Sequence, residues 1–177
     1  MKDRIFVIDG SSYLYRAFHA MPPLTTSSGK PTGAVKGVTN MLMNLKKDSE
    51  GSPIIVVFDA KGKTFRNNIY SEYKANRPPM PDELRDQLIP VKSICRAIGF
   101  PLIEVEGVEA DDVIATISQM AKDAKYKCVI SSLDKDLMQL VEDPHTTIMD
   151  TMKHKIFNEE SVFEKFGVKP NQIRDML

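Results

Sequence analysis

The sequence predicts an α/β fold with a mostly parallel central sheet. Two observations support this class: short runs rich in β-branched residues, and segments between them whose apolar residues recur at helical spacing. Ile5 to Ile8 and Ile54 to Phe58 are nearly continuous apolar runs, as expected of strands covered on both faces. Alternation of such strands with helices is typical of a parallel α/β sheet.

The other elements follow from the same patterns. Leu102 to Val105 and Cys128 to Ile130 are short runs that fit the same sheet, and Thr146 to Met149 is predicted as an edge strand. Helical spacing predicts helices over Ser12 to Ala20, Ala34 to Lys47, Pro81 to Ile98 and Ala110 to Ala124, with shorter ones over Asn158 to Phe166 and Gln172 to Leu177.

Length and composition predict one globular domain. The chain has 177 residues, 42% of them hydrophobic, which suffices for a single sizeable core. The 24 basic and 24 acidic residues balance, so total charge gives no argument for nucleic-acid binding, and such an argument must be local. Cys95 and Cys128 lack metal-ligand spacing and are expected to be buried, reduced thiols. No apolar run can span a bilayer, so a cytoplasmic protein is expected.

The segment from residue 61 to residue 81 departs from the strand and helix alternation. It contains one acidic residue, Glu72, against several basic and aromatic ones. These are Lys61, Lys63, Arg66, Lys74 and Arg77, interleaved with Phe65, Tyr70 and Tyr73. The segment is either a solvated loop or helix face, or a surface that holds nucleic acid.

Two aspartates follow predicted strands directly. Asp9 and Asp59 each end an apolar run, and ligands of parallel α/β sheets bind beyond the carboxyl ends of the strands. The alternative is a turn aspartate that caps the next helix, especially for Asp9, which precedes Gly10 and two serines.

A second group of acids lies at two later helix starts. Residues 104 to 112 contain five carboxylates and no basic residue: Glu104, Glu106, Glu109, Asp111 and Asp112. Helical spacing places Glu109 and Asp112 on one face, with Asp111 rotated away. Asp134 and Asp136 flank Lys135 after the strand that ends at Ile130. Negative charge also stabilises a helix N-terminus, so a capping role remains an alternative for both groups.

The coincidence of these acids predicts a metal site. Like charges in one cleft repel each other unless cations or protons offset them, so replacing Asp9 or Asp112 by asparagine is expected to relieve repulsion. Oxygen ligands without histidine or cysteine suit Mg²⁺, or Mn²⁺ in its place, and paired carboxylates suit two-ion phosphoryl chemistry. His19, His145 and His154 are expected to be surface or packing residues.

Five ordered blocks resemble a known family. They are Phe6 to Phe18, Val57 to Asp59, Tyr73 to Pro81, Gly107 to Asp112 and Asp134 to Val141. Together they resemble the 5′-nuclease domain of bacterial DNA polymerase I, within the flap endonuclease superfamily. The resemblance implies a PIN-like three-layer fold with a basic helical arch over about residues 61–81. It also implies a metal-dependent 5′-3′ exonuclease and flap endonuclease that hydrolyses DNA at 5′ flaps, nicks and free 5′ ends during replication and repair.

The resemblance also implies roles for individual residues. The metal-binding acids of the family match Asp9, Asp59, Glu109, Asp111, Asp112, Asp134 and Asp136. Lys74 and Arg77 match catalytic residues that handle the scissile phosphate. DNA contacts are expected from Arg16, Arg66, Tyr73, Lys74 and Arg77.

Two departures from the family pattern carry expectations of their own. Leu133 occupies a position where the family usually has glycine, so a different loop is expected there. The chain stops before the family's next aspartate motif and its helix-three-turn-helix element. Residues 1–177 are therefore expected to be the nuclease core of a longer polymerase chain, monomeric, with an incomplete two-ion site and reduced activity.

Two rival functions remain open from the sequence. One is a PIN-type ribonuclease with the same acids, against which the basic segment argues. The other is a non-catalytic DNA-binding module in which the acids only cap helices.

Overall fold

A computed structural model describes residues 3–151, 153 and 155–176. Its strands are β1 (Arg4–Asp9), β2 (Ile54–Val57), β3 (Leu102–Ile103), β4 (Lys127–Ser131), β5 (Thr146–Asp150) and β6 (Lys155–Phe157). Its α-helices are α1 (Gly10–Ala20), α2 (Gly33–Asp48), α3 (Phe65–Ile69), α4 (Asp82–Ile98), α5 (Ala110–Asp123), α6 (Glu159–Phe166) and α7 (Ile173–Met176). Short 3-10 helices cover Asp136–Leu140 and Pro170–Gln172.

The six strands form one sheet in the order β3-β2-β1-β4-β5-β6. The first five are parallel, and β6 runs antiparallel to β5. Asp9 is in register with Val57 of β2, and Ile8 with Ser131 of β4. The carboxyl ends of β1, β2 and β4 therefore meet at one edge, with Asp9 in the middle.

The sheet is covered on both faces, which makes three layers. Phe6 and Ile8 pack into a core with α1, α2 and α4. Val7, which points the other way, packs into a second core with α5, α6, α7 and the 3-10 helix after β4. Burial on both faces explains why β1 is apolar at consecutive positions rather than at alternate ones.

The predicted α/β class with a mostly parallel sheet is confirmed, but the edge-strand prediction for Thr146 to Met149 is wrong. That segment is β5, which lies between β4 and the additional strand β6. The three residues of β6 are too few to show an alternating pattern, and its central Ile156 is 55% exposed. The last predicted helix begins as a 3-10 turn, and its final residue, Leu177, lies outside the described residues.

A close approach at the end of β1 fixes where α1 begins. Gly10 starts the helix directly after the strand, and a Cβ built on it would lie 2.5 Å from the ring of Phe58. The ring is buried, with the Lys92 ammonium 5.3 Å from its centre. Glycine is therefore required here by space, since any side chain would displace the ring.

Several smaller predictions concern single residues. Cys95 and Cys128 are buried and free, as expected. His19 is exposed and lies against the rings of Tyr15 and Phe18, while His154 lies outside the described residues. Within the part of the chain that the structure describes, no helix is long and apolar enough to cross a membrane.

Candidate functional site

A cleft of about 900 Å³ lies at the carboxyl edge of the sheet. All seven predicted acids line it: Asp9, Asp59, Glu109, Asp111, Asp112, Asp134 and Asp136. Four residues of the basic segment line it too: Arg66, Tyr73, Lys74 and Arg77. The fold thus brings together residues that are up to 127 positions apart in the chain, from Asp9 to Asp136.

Asp9 is the most buried acid of the cleft, with 4% of its surface exposed. Its Oδ1 accepts a hydrogen bond from the Ser12 backbone N–H at 2.9 Å, so the predicted cap of α1 exists. Its Oδ2 accepts one from the Ser132 hydroxyl at 2.8 Å. Burial raises the pKa of Asp9 to about 6, and the charges of Asp59 and Asp134 act in the same direction.

Asp59 connects three elements. Its Oδ2 accepts a hydrogen bond from the Ser11 hydroxyl at 2.7 Å, and its Oδ1 accepts one from the Ala110 N–H at 2.9 Å. Ser11 belongs to α1, and Ala110 is the first residue of α5. Asp59 therefore holds the N-terminus of α5, and with it Asp111 and Asp112, against the end of β2.

Asp111 lies where three other carboxylates concentrate negative charge. Burial first, and then the charges of Asp9, Asp134 and Asp59 in that order, raise its pKa to about 7. We call Asp9, Asp59, Asp111 and Asp134 the strand-end cluster. The charges of the other three members raise the pKa of Asp111, as expected of carboxylates that lie close together.

Asp134 and Asp136 lie in the loop after β4. The Asp134 N–H donates to the Ser132 hydroxyl at 3.0 Å, and the Asp136 N–H donates to Asp134 Oδ1 at 2.9 Å. Leu133 does not have a positive φ. Among the described residues other than glycine, positive φ angles occur only at Glu50, Lys74 and Lys125. Leucine therefore fits this loop without backbone strain.

The basic segment reaches the other acids of the cleft directly. The Arg66 guanidinium donates two hydrogen bonds to Asp112, at 2.6 and 2.8 Å, and lies 3.4 Å from Glu109 Oε2. These bonds from Arg66 hold the pKa of Asp112 below its usual value, and the pKa of Arg66 is raised in return. Arg66 thus neutralises Asp112 through a bidentate contact.

Glu109 is neutralised from the same segment. It accepts a hydrogen bond from the Tyr73 hydroxyl at 3.1 Å and one from the Lys74 ammonium at 2.7 Å. Burial opposes the charge of Lys74, but its hydrogen bond to Glu109 prevails and the pKa of Lys74 is raised. Lys74 adopts φ 57°, a left-handed conformation that is strained for a side chain other than glycine and is frequent at functional sites. We call Glu109 and Asp112 the docked pair.

The division of the acids agrees with their predicted helical faces. Glu109 and Asp112 share one face and the contact with Arg66, while Asp111 turns into the strand-end cluster. The sequence from residue 104 to residue 112 contains no basic residue, but in the folded chain Arg66 and Lys74 lie beside its acids.

The other predicted DNA-binding residues are placed differently from one another. The predicted arch is helical only in α3, Phe65–Ile69, and the chain from residue 71 to residue 77 consists mostly of turns. Arg77 lines the cleft, whereas Arg16 is not among its lining residues. The Arg16 guanidinium binds the buried Asp150 at 2.9 Å. DNA contact by Arg16 remains a prediction.

Two serines that hold the acids were missed by the sequence analysis. Ser132 bonds to Asp9, and Ser11 bonds to Asp59. The available signal was a hydroxyl residue next to a strand end, but nothing in the sequence names its partner 123 or 48 positions away.

The donor set fits a hard divalent cation. Among the described residues that line the cleft there is no histidine or cysteine, and the strand-end cluster supplies carboxylate oxygens whose charge is only partly offset. Among the described residues, no three carboxylate, histidine or cysteine side chains are arranged so that they could hold one metal ion together. In this arrangement Arg66 and Lys74 bind the docked pair.

Comparison with known proteins identifies the family. Residues 4–167 match the family described as "5′-3′ exonuclease, N-terminal resolvase-like domain". The chain belongs to this 5′-3′ exonuclease family. The resemblance stated from the five sequence blocks is thereby confirmed.

Relatives in the 5′-3′ exonuclease family share much of the sequence. The chain is 58% identical to DNA polymerase I of Pseudomonas aeruginosa over 98% of its own length and 19% of the relative's. It is 44% identical to the 5′-3′ exonuclease of Aquifex aeolicus, again over 98% of its length, and spans 60% of that protein.

A solved structure shares the fold. The bacteriophage T5 D15 flap endonuclease, crystallised with DNA and metal ions, superposes with a TM-score of 0.75 at 23% identity. The match covers 96% of this chain and 63% of the T5 protein. At this identity the match shows the fold alone, and it supports the predicted PIN-like fold class.

Proposed function

We propose that this chain is the catalytic core of a metal-dependent 5′ nuclease that hydrolyses DNA phosphodiesters at 5′ flaps, nicks and free 5′ ends. The observation that carries the proposal is one cleft lined by seven acids and by the cations of a basic segment. Such a cleft can hold divalent ions and a phosphate together. The names of the relatives, DNA polymerase I and 5′-3′ exonuclease, support DNA as the substrate.

The proposed cofactor is Mg²⁺, with Mn²⁺ able to replace it. Asp9, Asp59, Asp111 and Asp134 would provide the first ligands, because the charges of the other three act on Asp111, which places these four carboxylates near one another. Glu109, Asp112 and Asp136 complete the proposed set. Two bound divalent ions would supply an activated water and stabilise the leaving oxygen of an in-line displacement.

The proposed role of the basic segment is to hold the phosphate. Lys74 and Arg77 lie in the cleft wall, where they can offset charge that develops on the phosphate oxygens in the transition state. Tyr73 offers a ring on which an unpaired base can stack without sequence preference. Arg16 and Arg66 are proposed to contact neighbouring phosphates. For Arg66 and Lys74 this requires release from the docked pair, whose negative charge the bound ions would then balance.

A cleavage assay tests the proposed reaction and separates it from the ribonuclease alternative. A labelled DNA duplex with a 5′ flap and a single-stranded RNA of the flap sequence are incubated with the chain, with Mn²⁺ or with EDTA. We expect cleavage of the DNA with Mn²⁺ and none with EDTA. Cleavage of the RNA alone would assign the chain to the PIN-type ribonucleases.

One set of contacts favours a non-catalytic module instead. Asp9 caps α1 through Ser12, and Asp134 bonds to the Asp136 N–H, so these acids have structural roles without any ion. Metal binding distinguishes the nuclease from the non-catalytic module, because a ligand that binds only the folded state raises the melting temperature. We expect Mn²⁺ to raise it, whereas an unchanged value would favour the module that only binds DNA.

The biological setting is also a proposal. We propose that residues 1–177, with the arch at about 61–81, form the nuclease core of a bacterial DNA polymerase I that works as a monomer on cytoplasmic DNA. The small share of the Pseudomonas polymerase that the chain spans, 19%, supports a role as one part of a larger protein.

A further inference from the structure

Ser132 lies between two acids that come from different strands. It follows the end of β4 and is 2% exposed. Its hydroxyl donates to Asp9 Oδ2 at 2.8 Å and accepts from the Asp134 N–H at 3.0 Å. One buried hydroxyl thus connects the carboxylate at the end of β1 with the backbone of the loop after β4.

The direction of these bonds determines what the hydroxyl can do. Its single hydrogen goes to Asp9, so the Asp134 N–H meets one of its lone pairs. Hydrogen bonds in such a chain polarise one another, so the N–H makes the hydroxyl a better donor to the carboxylate. Asp9 Oδ1 is held separately by the Ser12 N–H, so both oxygens of this carboxylate are fixed in orientation.

The orientation of a ligand carboxylate matters for a bound ion. Each oxygen of Asp9 has one protein donor and keeps a further lone pair, which can face the cleft. Groups that hydrogen-bond to metal ligands typically change metal affinity or activity by roughly 10- to 100-fold when they are removed.

We propose that Ser132 is a positioning residue that orients Asp9 and sets its distance from Asp134 for divalent-ion binding. The inference rests on the proposed function and adds a residue that contacts neither ion nor DNA. Ser132 acts through Asp9 and through the loop backbone.

The chain itself offers a matched control. Ser131 is adjacent and also buried, but its hydroxyl pairs with the Tyr13 hydroxyl at 2.6 Å rather than with an acid of the cleft. Ser131→Ala therefore removes a buried hydroxyl of the same kind without touching Asp9. Ser132→Thr and Ser132→Val form a second matched pair, because they have nearly equal volume and differ in the hydroxyl.

The test is a Mn²⁺ titration of the unmodified chain and the four variants Ser132→Ala, Ser132→Thr, Ser132→Val and Ser131→Ala, with free Mn²⁺ followed by electron paramagnetic resonance. Melting temperatures without metal identify any variant that does not fold. We expect Ser132→Ala and Ser132→Val to bind Mn²⁺ roughly 10- to 100-fold more weakly. Ser131→Ala and Ser132→Thr should bind like the unmodified chain.

The outcomes separate this inference from the proposed function. Equal Mn²⁺ affinity for Ser132→Thr and Ser132→Val would overturn the positioning role, even if Ser132→Ala failed to fold. Equal weakening in Ser131→Ala and Ser132→Ala would mean that both serines act only through stability. If the unmodified chain bound no Mn²⁺, the proposed function would fail, and this role with it.

Discussion

Two groups of acids line the same cleft and differ in how their charge is balanced. In the strand-end cluster, burial and mutual repulsion raise the pKa values of Asp9 and Asp111 to about 6 and about 7. In the docked pair, Arg66 holds the pKa of Asp112 low, and Lys74 and Tyr73 bind Glu109. Asp111 and Asp112 are neighbours in sequence, yet their pKa values shift in opposite directions.

The difference arises because the basic segment places its cations next to Glu109 and Asp112. These cations contact Glu109 and Asp112 at the start of α5, while Asp111 lies near Asp9, Asp134 and Asp59. The cluster therefore keeps charge that a divalent ion can balance, and the docked pair is already balanced by side chains. An ion that recruits the docked pair must compete with Arg66 and Lys74.

The largest expected effect is the loss of cleavage when the cluster is altered. Asp9→Asn or Asp111→Asn should slow Mn²⁺-dependent flap cleavage by roughly 10²- to 10³-fold or more, at least the scale for losing one preorganised electrostatic group. Asp123→Asn, at the exposed end of the same helix as Asp111, is the control and should cleave normally. Normal rates for both cluster variants would show that the ions bind elsewhere.

The next effect compares two cations of the basic segment. Lys74→Ala and Arg77→Ala should each slow cleavage by roughly 10²-fold, because each removes a donor to the phosphate. Only Lys74→Ala also breaks the bond to Glu109, so only this variant should melt at a lower temperature. Lys61→Ala, outside the cleft lining, serves as the control for general loss of positive charge. Normal cleavage with a lower melting temperature in Lys74→Ala would make Lys74 a structural residue.

A smaller effect tests the opposite charge balance of two neighbouring residues. Without metal, Asp111→Asn should raise the melting temperature because it removes a repelled charge, and Asp112→Asn should lower it because it breaks the bidentate contact with Arg66. Each shift should be roughly 2–4 °C, which corresponds to about 1 kcal/mol in a domain of this size. Shifts of the same sign, measured by calorimetry in EDTA, would contradict the division into two groups.

The smallest effect is a pH dependence of stability. The pKa of Asp111 is about 7 in the folded chain, above its ordinary value of 3.8, so the folded state holds the proton more tightly than the unfolded state. Its contribution to stability is therefore greatest at low pH and falls as pH rises from about 4 to about 7. In EDTA the decline over this pH range should be shallower for Asp111→Asn than for the unmodified chain. Parallel curves for the two proteins would refute the raised pKa.

The sequence predicted the meeting of the acids and the separate helical faces of Asp111 and Asp112, but not the cations that balance one face. Asp9 and Asp59 follow apolar runs, and parallel strands place their carboxyl ends at one edge, so the cleft was predictable. The balance at Asp112 depends on Arg66, 46 positions earlier, whose placement follows from the folding of the basic segment. The sequence predicts that Asp112→Asn relieves repulsion, but the contact with Arg66 leads us to expect a loss of stability instead.

Local patterns also failed where the pairing is distant or the element is short. Strand β6 has three residues, too few for a periodic signal, so the sequence pattern predicts β5, wrongly, as the edge of the sheet. Ser132 stands beside a recognised motif, but its partner Asp9 is fixed by the register of β1 and β4. Such contacts belong to the tertiary structure and leave no mark on the neighbouring sequence.

The contact between Gly10 and Phe58 has a consequence for interpreting variants. The backbone at residue 10, which follows Asp9, lies against the ring of Phe58, which precedes Asp59, so this contact links the two strand ends that carry these aspartates. A substitution as mild as Gly10→Ala would push the ring aside and change the separation of Asp9 and Asp59, although residue 10 carries no functional group. In a mutational survey of cleavage activity, we expect substitutions of Gly10 to be as harmful as substitutions of the acids, because they change the geometry of the site.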